Sequence, residues 1–278
     1  MMRDDKYNLR RFSLEVLCYL LGLLFLIPFY FVLSNSVKSF SDLLSNSASW
    51  PQSFVWSNYS RTWEIMNYPR AFMNSFLITV VSIAGIVTIS AMAAYRMVRR
   101  PTRFNNFLFG LFVSAMIIPF QAVMIPLVKV LGWADLMNSR TGLIISFFGF
   151  GASLSIFLFH GFVKSIPLEI EESAIVDGCT PYGVFWRIVF PLLKSATVTI
   201  VLLNSLWIWN DFLLPLIVLY DPDKRTIPLA IYAFFGQYSK QWDLALAGLV
   251  MGIVPILALF LLLQKQIIAG ITAGAIKG

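Results

Sequence analysis

Residues 172–192 read ESAIVDGCTPYGVFWRIVFPL. Acidic, small and turn-forming residues follow one another here, between two long apolar runs. The surroundings set the class. Of 278 residues, 58% are hydrophobic and 13% charged, and the mean hydropathy is +0.77. A soluble domain is usually about 25% charged, so this balance points to lipid as the solvent. A chain that buries its backbone in lipid must satisfy its own hydrogen bonds, which predicts an all-α integral membrane protein.

Spanning helices need roughly 20 mainly apolar residues. Six runs meet that length, at about 12–34, 73–95, 106–128, 141–163, 194–219 and 244–266. The first follows Arg10 and Arg11 as a signal peptide would, yet its apolar stretch is long and no small-x-small cleavage site follows, so it reads as a retained helix. Lys and Arg set the orientation. With the N-terminus inside, thirteen of the 21 basic residues fall in cytosolic segments, and YRMVRRPTR (95–103) is the most basic short turn. Both termini are then cytosolic, and so is the 172–192 stretch. The external segments are rich in Trp and Tyr, as in WPQSFVWSNYSRTWEIMNYPR (50–70), which fits an interface or a partner. Gly248 and Gly252, with Ala245 a turn earlier, mark close helix packing. The net charge of +7 is accounted for by topology, and there is no basic stripe of the kind that binds nucleic acid.

Few residues suit chemistry. Cys18 and Cys179 are expected in different environments, which argues against a disulfide or a metal site. The single His160 reads as a packed or interfacial helix-end residue. No GxxxxGK[ST] loop is present, so the chain offers no phosphate cradle of its own.

The 164–192 stretch reads as two short helices joined by a turn. Pro167 suits a first helical position, and Glu169, Glu171 and Glu172 sit where the helix dipole favours anions. Gly178 can adopt the left-handed conformation that ends a helix, and Thr180–Pro181 reads as N-cap and first residue of the next. Ile170, Ser173, Ala174 and Asp177 are expected on one face. Small residues there admit close approach, and the carboxylates suit a partner's arginines. An ordinary solvated loop fits the same residues.

The order Glu172-Ser173-Ala174, three residues, Gly178, nine residues, Ile188-Val189-Phe190-Pro191 resembles the EAA motif of permease subunits in ABC importers. Ser173 stands where that motif usually has Ala, and Phe190 where it has Leu. WIWNDFLLPLIVL (207–219), FGQYSKQWDLALAG (235–248), QKQIIAGITAGAIKG (264–278), NY at 58–59 and NS at 74–75 are similar to the second permease of maltose-transporter-type carbohydrate systems. The resemblance covers nearly the whole chain, residues 1–278, as one permease domain.

It implies six transmembrane helices with a cytoplasmic two-helix coupling loop (164–192) between helices 4 and 5, and a cytoplasmic tail (267–278) reaching between ATPase subunits. A frayed terminus is the alternative for the tail. It implies a bacterial-type cell membrane, a second homologous permease, two ATPase subunits carrying ATP and Mg, and an external sugar-binding protein. The chain itself is then non-catalytic and holds no cofactor or metal. Within the loop, Glu171 and Glu172 would meet partner arginines, Ser173 and Ala174 would pack closely, Gly178 would permit the bend, and Asp177 would pair there or cap locally.

In the membrane, Asn210 and Asp211 are candidates for the translocation path, since a carboxylate there costs on the order of 3 kcal/mol to insert. A structural hydrogen bond near Pro215 is the other reading. Trp207, Trp209 and Tyr232 offer faces for sugar rings, or simple packing. Gln237, Tyr238 and Trp242 are candidates for the binding-protein contact or the outer gate. A permease for another polar solute such as a polyamine is the alternative within this class. A secondary transporter would need several deep charged groups and no docking loop, and an intramembrane enzyme would need a titratable partner for His160.

Overall fold

The computed structural model describes residues 9–236 and 240–275, with residues 9, 10, 263 and 265–275 as backbone only. Among the described residues the chain is helical and carries no strand, only an isolated bridge between Phe235 and Lys240. The helices are α1 (Leu9–Ser36), α2 (Phe40–Ser45), α3 (Ser57–Ile65), α4 (Tyr68–Arg99), α5 (Arg103–Ala115), α6 (Phe120–Trp133), α7 (Arg140–Lys164), α8 (Leu168–Val176), α9 (Pro181–Val184), α10 (Phe190–Leu192), α11 (Lys194–Asn210), α12 (Leu213–Val218), α13 (Ile227–Tyr232) and α14 (Trp242–Ala275).

Four helices are long and apolar enough to cross a bilayer by themselves: α1, α4, α7 and the Trp242–Leu262 part of α14. The other two apolar runs are not the straight helices that their length suggests. The third, expected over 106–128, breaks between α5 and α6 with a bend of 110°. Pro119 explains it: proline has no N–H to donate and pushes its predecessor out of the helical region, so it serves as the N-cap of α6. The fifth run, expected over 194–219, ends as a helix at Asn210, and Asp211 is extended (ψ 129°) before α12 begins. Upstream, α11 is bent by 74° from the Pro181–Leu192 segment. Counting each bent pair as one span gives up to six. Downstream, the backbone of α14 stays helical to Ala275, which takes in residues 267–275 of the expected tail; extending an existing helix needs no new nucleus.

The residues fall into two compact units. The smaller combines Met1–Asn67 with Ile231–Gly252. In it α3 packs on the start of α14: Thr62 Oγ1 donates to the Leu244 carbonyl at 3.1 Å. Gly248 is the point of approach, because a Cβ there would come within 3.3 Å of Thr62 Cγ2 and 3.2 Å of Ile231 Cγ1.

The larger unit combines Tyr68–Ala230 with Ile253–Gly278. Two buried apolar clusters run through it. One joins Ile78 and Ile86 of α4 to Leu143 and Phe147 of α7 and Val218 of α12. The other joins Ala91 and Ala94 of α4, Phe159 and Val163 of α7 and Ile200 of α11 to Ala174, Phe185 and Val189. The 164–192 segment therefore shares a core with the long helices. Asn74 and Ser75 pin the loop before α13: Asn74 Nδ2 donates to the carbonyls of Asp223 (3.0 Å) and Arg225 (2.9 Å), and Ser75 Oγ accepts the Ile227 N–H (2.8 Å).

Candidate functional site: the 164–192 segment and the niche at Asp211

Helix α8 begins after Pro167, carries Glu169 and Glu171 in its first turn, and ends at Asp177. Gly178 follows with φ +88°, the left-handed conformation that glycine adopts readily and that ends a helix. No atom lies within 4 Å of the Cβ it lacks, so backbone geometry alone demands glycine here. Thr180 then caps α9, its Oγ1 accepting the Gly183 N–H at 3.2 Å, with Pro181 at the first helical position. A π-helical turn over Phe185–Val189 widens the spacing, so that Val184, Phe185 and Val189 all point into the core.

The faces of α8 differ from those expected. Glu171 is turned inward, its side chain 5% exposed, and it is engaged by the chain's own groups. Arg99 Nε donates to Glu171 Oε1 at 2.7 Å, Arg99 Nη2 lies 2.6 Å from the same oxygen, and Tyr95 Oη donates to Oε2 at 2.8 Å. Arg99 Nη2 also donates to the Ile166 carbonyl at 2.9 Å. Glu171 is thus not available to a partner's arginine. A buried carboxylate needs a charged, hydrogen-bonded partner, and the basic end of α4 supplies one. Ala174 shares this inward face and packs in the core, so it offers no close-packing surface to another subunit. Glu172, Ser173 and Asp177 stay exposed. With them the outer surface presents Val176 (86% exposed) and Tyr182 (73%), together with Leu168 and Ile175. Neither Tyr95 nor Arg99 was singled out in the sequence; Arg99 counted there only as one of the basic residues that set topology.

Asp211 and Trp207 are brought together. Both line a pocket of about 310 Å³ whose other walls include Phe120, Gln121 and Phe150. Phe120 and Phe150 meet edge to face at 5.3 Å. Trp207 is held edge to face on Phe147 at 5.4 Å. Asp211 is the extended residue between α11 and α12, so its side chain sits where one helix stops and before the next begins. Asn210 is exposed and its amide is spent on the Leu206 carbonyl at 2.7 Å. A larger cavity of about 660 Å³ adjoins, sharing Phe120, Phe150 and Trp207 and adding Ser153 and Asn204. Sequence reasoning missed Gln121 and Phe120, which open α6 directly after the break at Pro119. Tyr232 ends α13, and Trp242 starts α14 with its ring 4.9 Å from Phe235; both fall in the smaller unit. Gln237 and Tyr238 lie outside the described residues. Cys18 and Cys179 are free thiols, His160 stacks on Phe109 at 3.9 Å, and no metal-binding cluster occurs among the described residues.

A loop of two short helices, rooted in the core and presenting an apolar and acidic face, is suited to receiving force from another protein. The family described as "binding-protein-dependent transport system inner membrane component" matches residues 85–272, which include the whole segment. The chain belongs to this family. It is a multi-pass membrane protein and a non-catalytic permease subunit, with ATP hydrolysis residing in separate subunits. Its relatives include the probable starch degradation products transport system permease AmyC of Thermoanaerobacterium thermosulfurigenes, 40% identical over 98% of this chain and 99% of that one. The melibiose/raffinose/stachyose import permease MelC of Bacillus subtilis is 36% identical over 91% of each. The arabinooligosaccharides permease AraQ of the same organism is 31% identical over 99% of each. Among solved structures, a chain of a bacterial ABC transporter that imports the acidic polysaccharide alginate has the same fold, with a TM-score of 0.76, 24% identity, and coverage of 93% of this chain and 98% of that one.

Proposed function

We propose that this permease subunit forms one half of the path of an ATP-driven importer for a sugar or oligosaccharide. The observation that carries the substrate class is the set of relatives matched over nearly their full length and named for saccharide uptake. In this reading each bent helix pair crosses once, giving six crossings with both termini in the cytosol of a bacterial-type cell and the 164–192 segment on the cytosolic side. A second, homologous permease completes the path, and two ATPase subunits carry the ATP and Mg. An external binding protein delivers substrate; a solved relative in complex with a substrate-bound periplasmic protein supports that partner. The chain holds no cofactor of its own.

The ATPase docks on the outer face of α8 and α9. Glu172 and Asp177 set the register, while Leu168, Ile175, Val176 and Tyr182 supply the buried contact, because an exposed ion pair is worth only about 0–1 kcal/mol. Gly178 gives the turn that presents both helices. Force then enters α4 through Glu171, Arg99 and Tyr95. In the membrane, Trp207 offers an apolar ring to a saccharide face, and Gln121 and Asp211 offer polar groups to its hydroxyls, the combination that saccharide sites need. Asn210 and, separately, Tyr232 are further candidates for the path, Trp242 is a candidate for the binding-protein contact or the outer gate, and the 267–278 segment reaches the ATPases. Reconstitution with the ATPase and the partner permease tests this reading. Vanadate-sensitive uptake of an oligosaccharide such as raffinose or maltotriose is expected; a complex that takes up a polyamine and no saccharide overturns the substrate class.

A further inference from the structure

We propose that residues 37–59 form a plate lying in the lipid headgroup layer beside the outer end of α1, with a continuous ribbon of aromatic rings as its lipid-facing surface. The ribbon starts on the spanning helix. Tyr30 stacks on Trp50 with ring centroids 6.3 Å apart. Trp50 meets Phe54 at 6.4 Å, Phe54 stacks on Trp56 at 6.0 Å, and Trp56 meets Tyr59 at 6.1 Å. Trp50 and Trp56 are each 66% exposed. Beside them α2 exposes Phe40 and Leu44.

What lies beneath the ribbon identifies its surroundings. Lys38 is fully buried, and its ammonium donates to three backbone carbonyls: Asn46 at 3.0 Å, Ser47 at 3.3 Å and Ser49 at 2.6 Å. Tyr30 Oη donates to the Ala48 carbonyl at 3.0 Å, and Asn35 Nδ2 adds a second donor to Ser47. Four consecutive carbonyls of an irregular segment are thus satisfied from inside. Asn58 Nδ2 does the same for Ser36 and Lys38 at 3.0 and 2.8 Å. Water would solvate such carbonyls freely, whereas a segment that leaves water must satisfy them within the protein.

The depth agrees. The 28 residues of α1 correspond to a helix about 42 Å long, close to the roughly 40–45 Å of a bilayer with its headgroups. Tyr30 lies six residues before the end of α1 at Ser36, about 9 Å inside it, at the boundary of hydrocarbon and headgroups. Trp and Tyr are the side chains that favour this boundary, with an apolar ring and one polar handle. A saccharide would instead require free donors and acceptors converging beside the rings, and here the neighbouring carbonyls are already engaged inward.

The test uses the full permease complex in nanodiscs with lipids brominated near either the ester or the methyl end of the acyl chain. Subtracting the emission of a Trp50→Phe, Trp56→Phe variant, which keeps two rings in place, isolates these two tryptophans. Bromine near the ester end is expected to remove most of the difference emission, and bromine near the methyl end little of it. A nitroxide attached through Ser53→Cys in a Cys18→Ser, Cys179→Ser background reads the same depth without touching a ring; a ratio of oxygen to water-soluble nickel accessibility between that of a nitroxide in water and that of a mid-chain lipid nitroxide is expected. Difference emission untouched by either lipid, or a nitroxide with the oxygen-to-nickel ratio of one in bulk water, overturns the proposal. So does emission that shifts on addition of maltotriose or of the binding protein, which would give the ribbon to those occupants.

Discussion

Glu171 and Glu172 are adjacent carboxylates with opposite fates. Glu171 is buried on Arg99 and Tyr95, while Glu172 faces solvent. Removing one partner of a buried ion pair leaves the other uncompensated, at a cost of about 3–5 kcal/mol. Glu171→Ala should therefore lower the thermal stability of the purified complex markedly, and the exchange Glu171→Arg with Arg99→Glu should recover part of it. Glu172→Gln is an exposed change expected to stay within about 0.5 kcal/mol, yet to weaken retention of the ATPase on a tagged permease. Equal stability losses in the two single variants would contradict the assignment of faces. Gly178 gives a second test at this scale. A Cβ at 178 meets no neighbour, so Gly178→Ala carries only the left-handed backbone penalty, about 1–2 kcal/mol. Gly178→Asn should lose less, since Asn tolerates that conformation. Gly178→Val should reduce uptake while ATPase activity persists. Normal uptake in the Val variant would remove the turn from the coupling path.

At the scale of elements, composition and run length sufficed for the helices, because long unbroken apolar runs suit helices and not the short alternating strands of a closed barrel, the other way to pair a backbone in lipid. The breaks were harder to read. Pro119 lay in plain sight, but proline inside a membrane helix is often only a kink, and whether it yields 110° depends on what packs on either side. Asp211 looked like a deep charge in a continuous helix; the structure makes it the group that ends the helix. In the 164–192 segment the turn, the caps and the glycine followed from local rules, whereas the faces of α8 did not. Which side faces inward is decided by Arg99 and Tyr95, 72 and 76 residues away, and no local spacing records that. The NS pair was visible as a resemblance without a role, which the loop before α13 supplies. Asn74→Ala leaves two backbone carbonyls short of a donor, a cost of about 1–3 kcal/mol if they remain dry. Faster hydrogen exchange over residues 223–227 is expected, with α8 unaffected; unchanged exchange would mean that the loop is held by other contacts.

For the whole molecule, the question is how ATP-driven work reaches a niche that contains no nucleotide site. The core formed by Ala91, Phe159, Ile200, Ala174 and Phe185 joins the 164–192 segment to α4, α7 and α11, and close-packed cores move as bodies. If the ATPase docks as proposed, a push on α8 would displace α4, α7 and α11 together, and α11 carries Trp207 and is followed at its end by Asp211. Val176 is the place to detect the push. Its side chain is 86% exposed and takes part in neither buried cluster, so Val176→Cys should leave the fold intact. In a background lacking Cys18 and Cys179, a disulfide from residue 176 to a cysteine in the ATPase groove is expected to form readily and to abolish uptake. Its rate of formation should change when vanadate traps the ATPases in one state. The exchange of Arg99→Glu with Glu171→Arg should leave that cross-link in place. If the exchange preserves ATPase activity but lowers uptake, the work is being lost between α8 and α4. If uptake per ATP stays at the wild-type level although the ion pair is reversed, transmission runs through the apolar core alone.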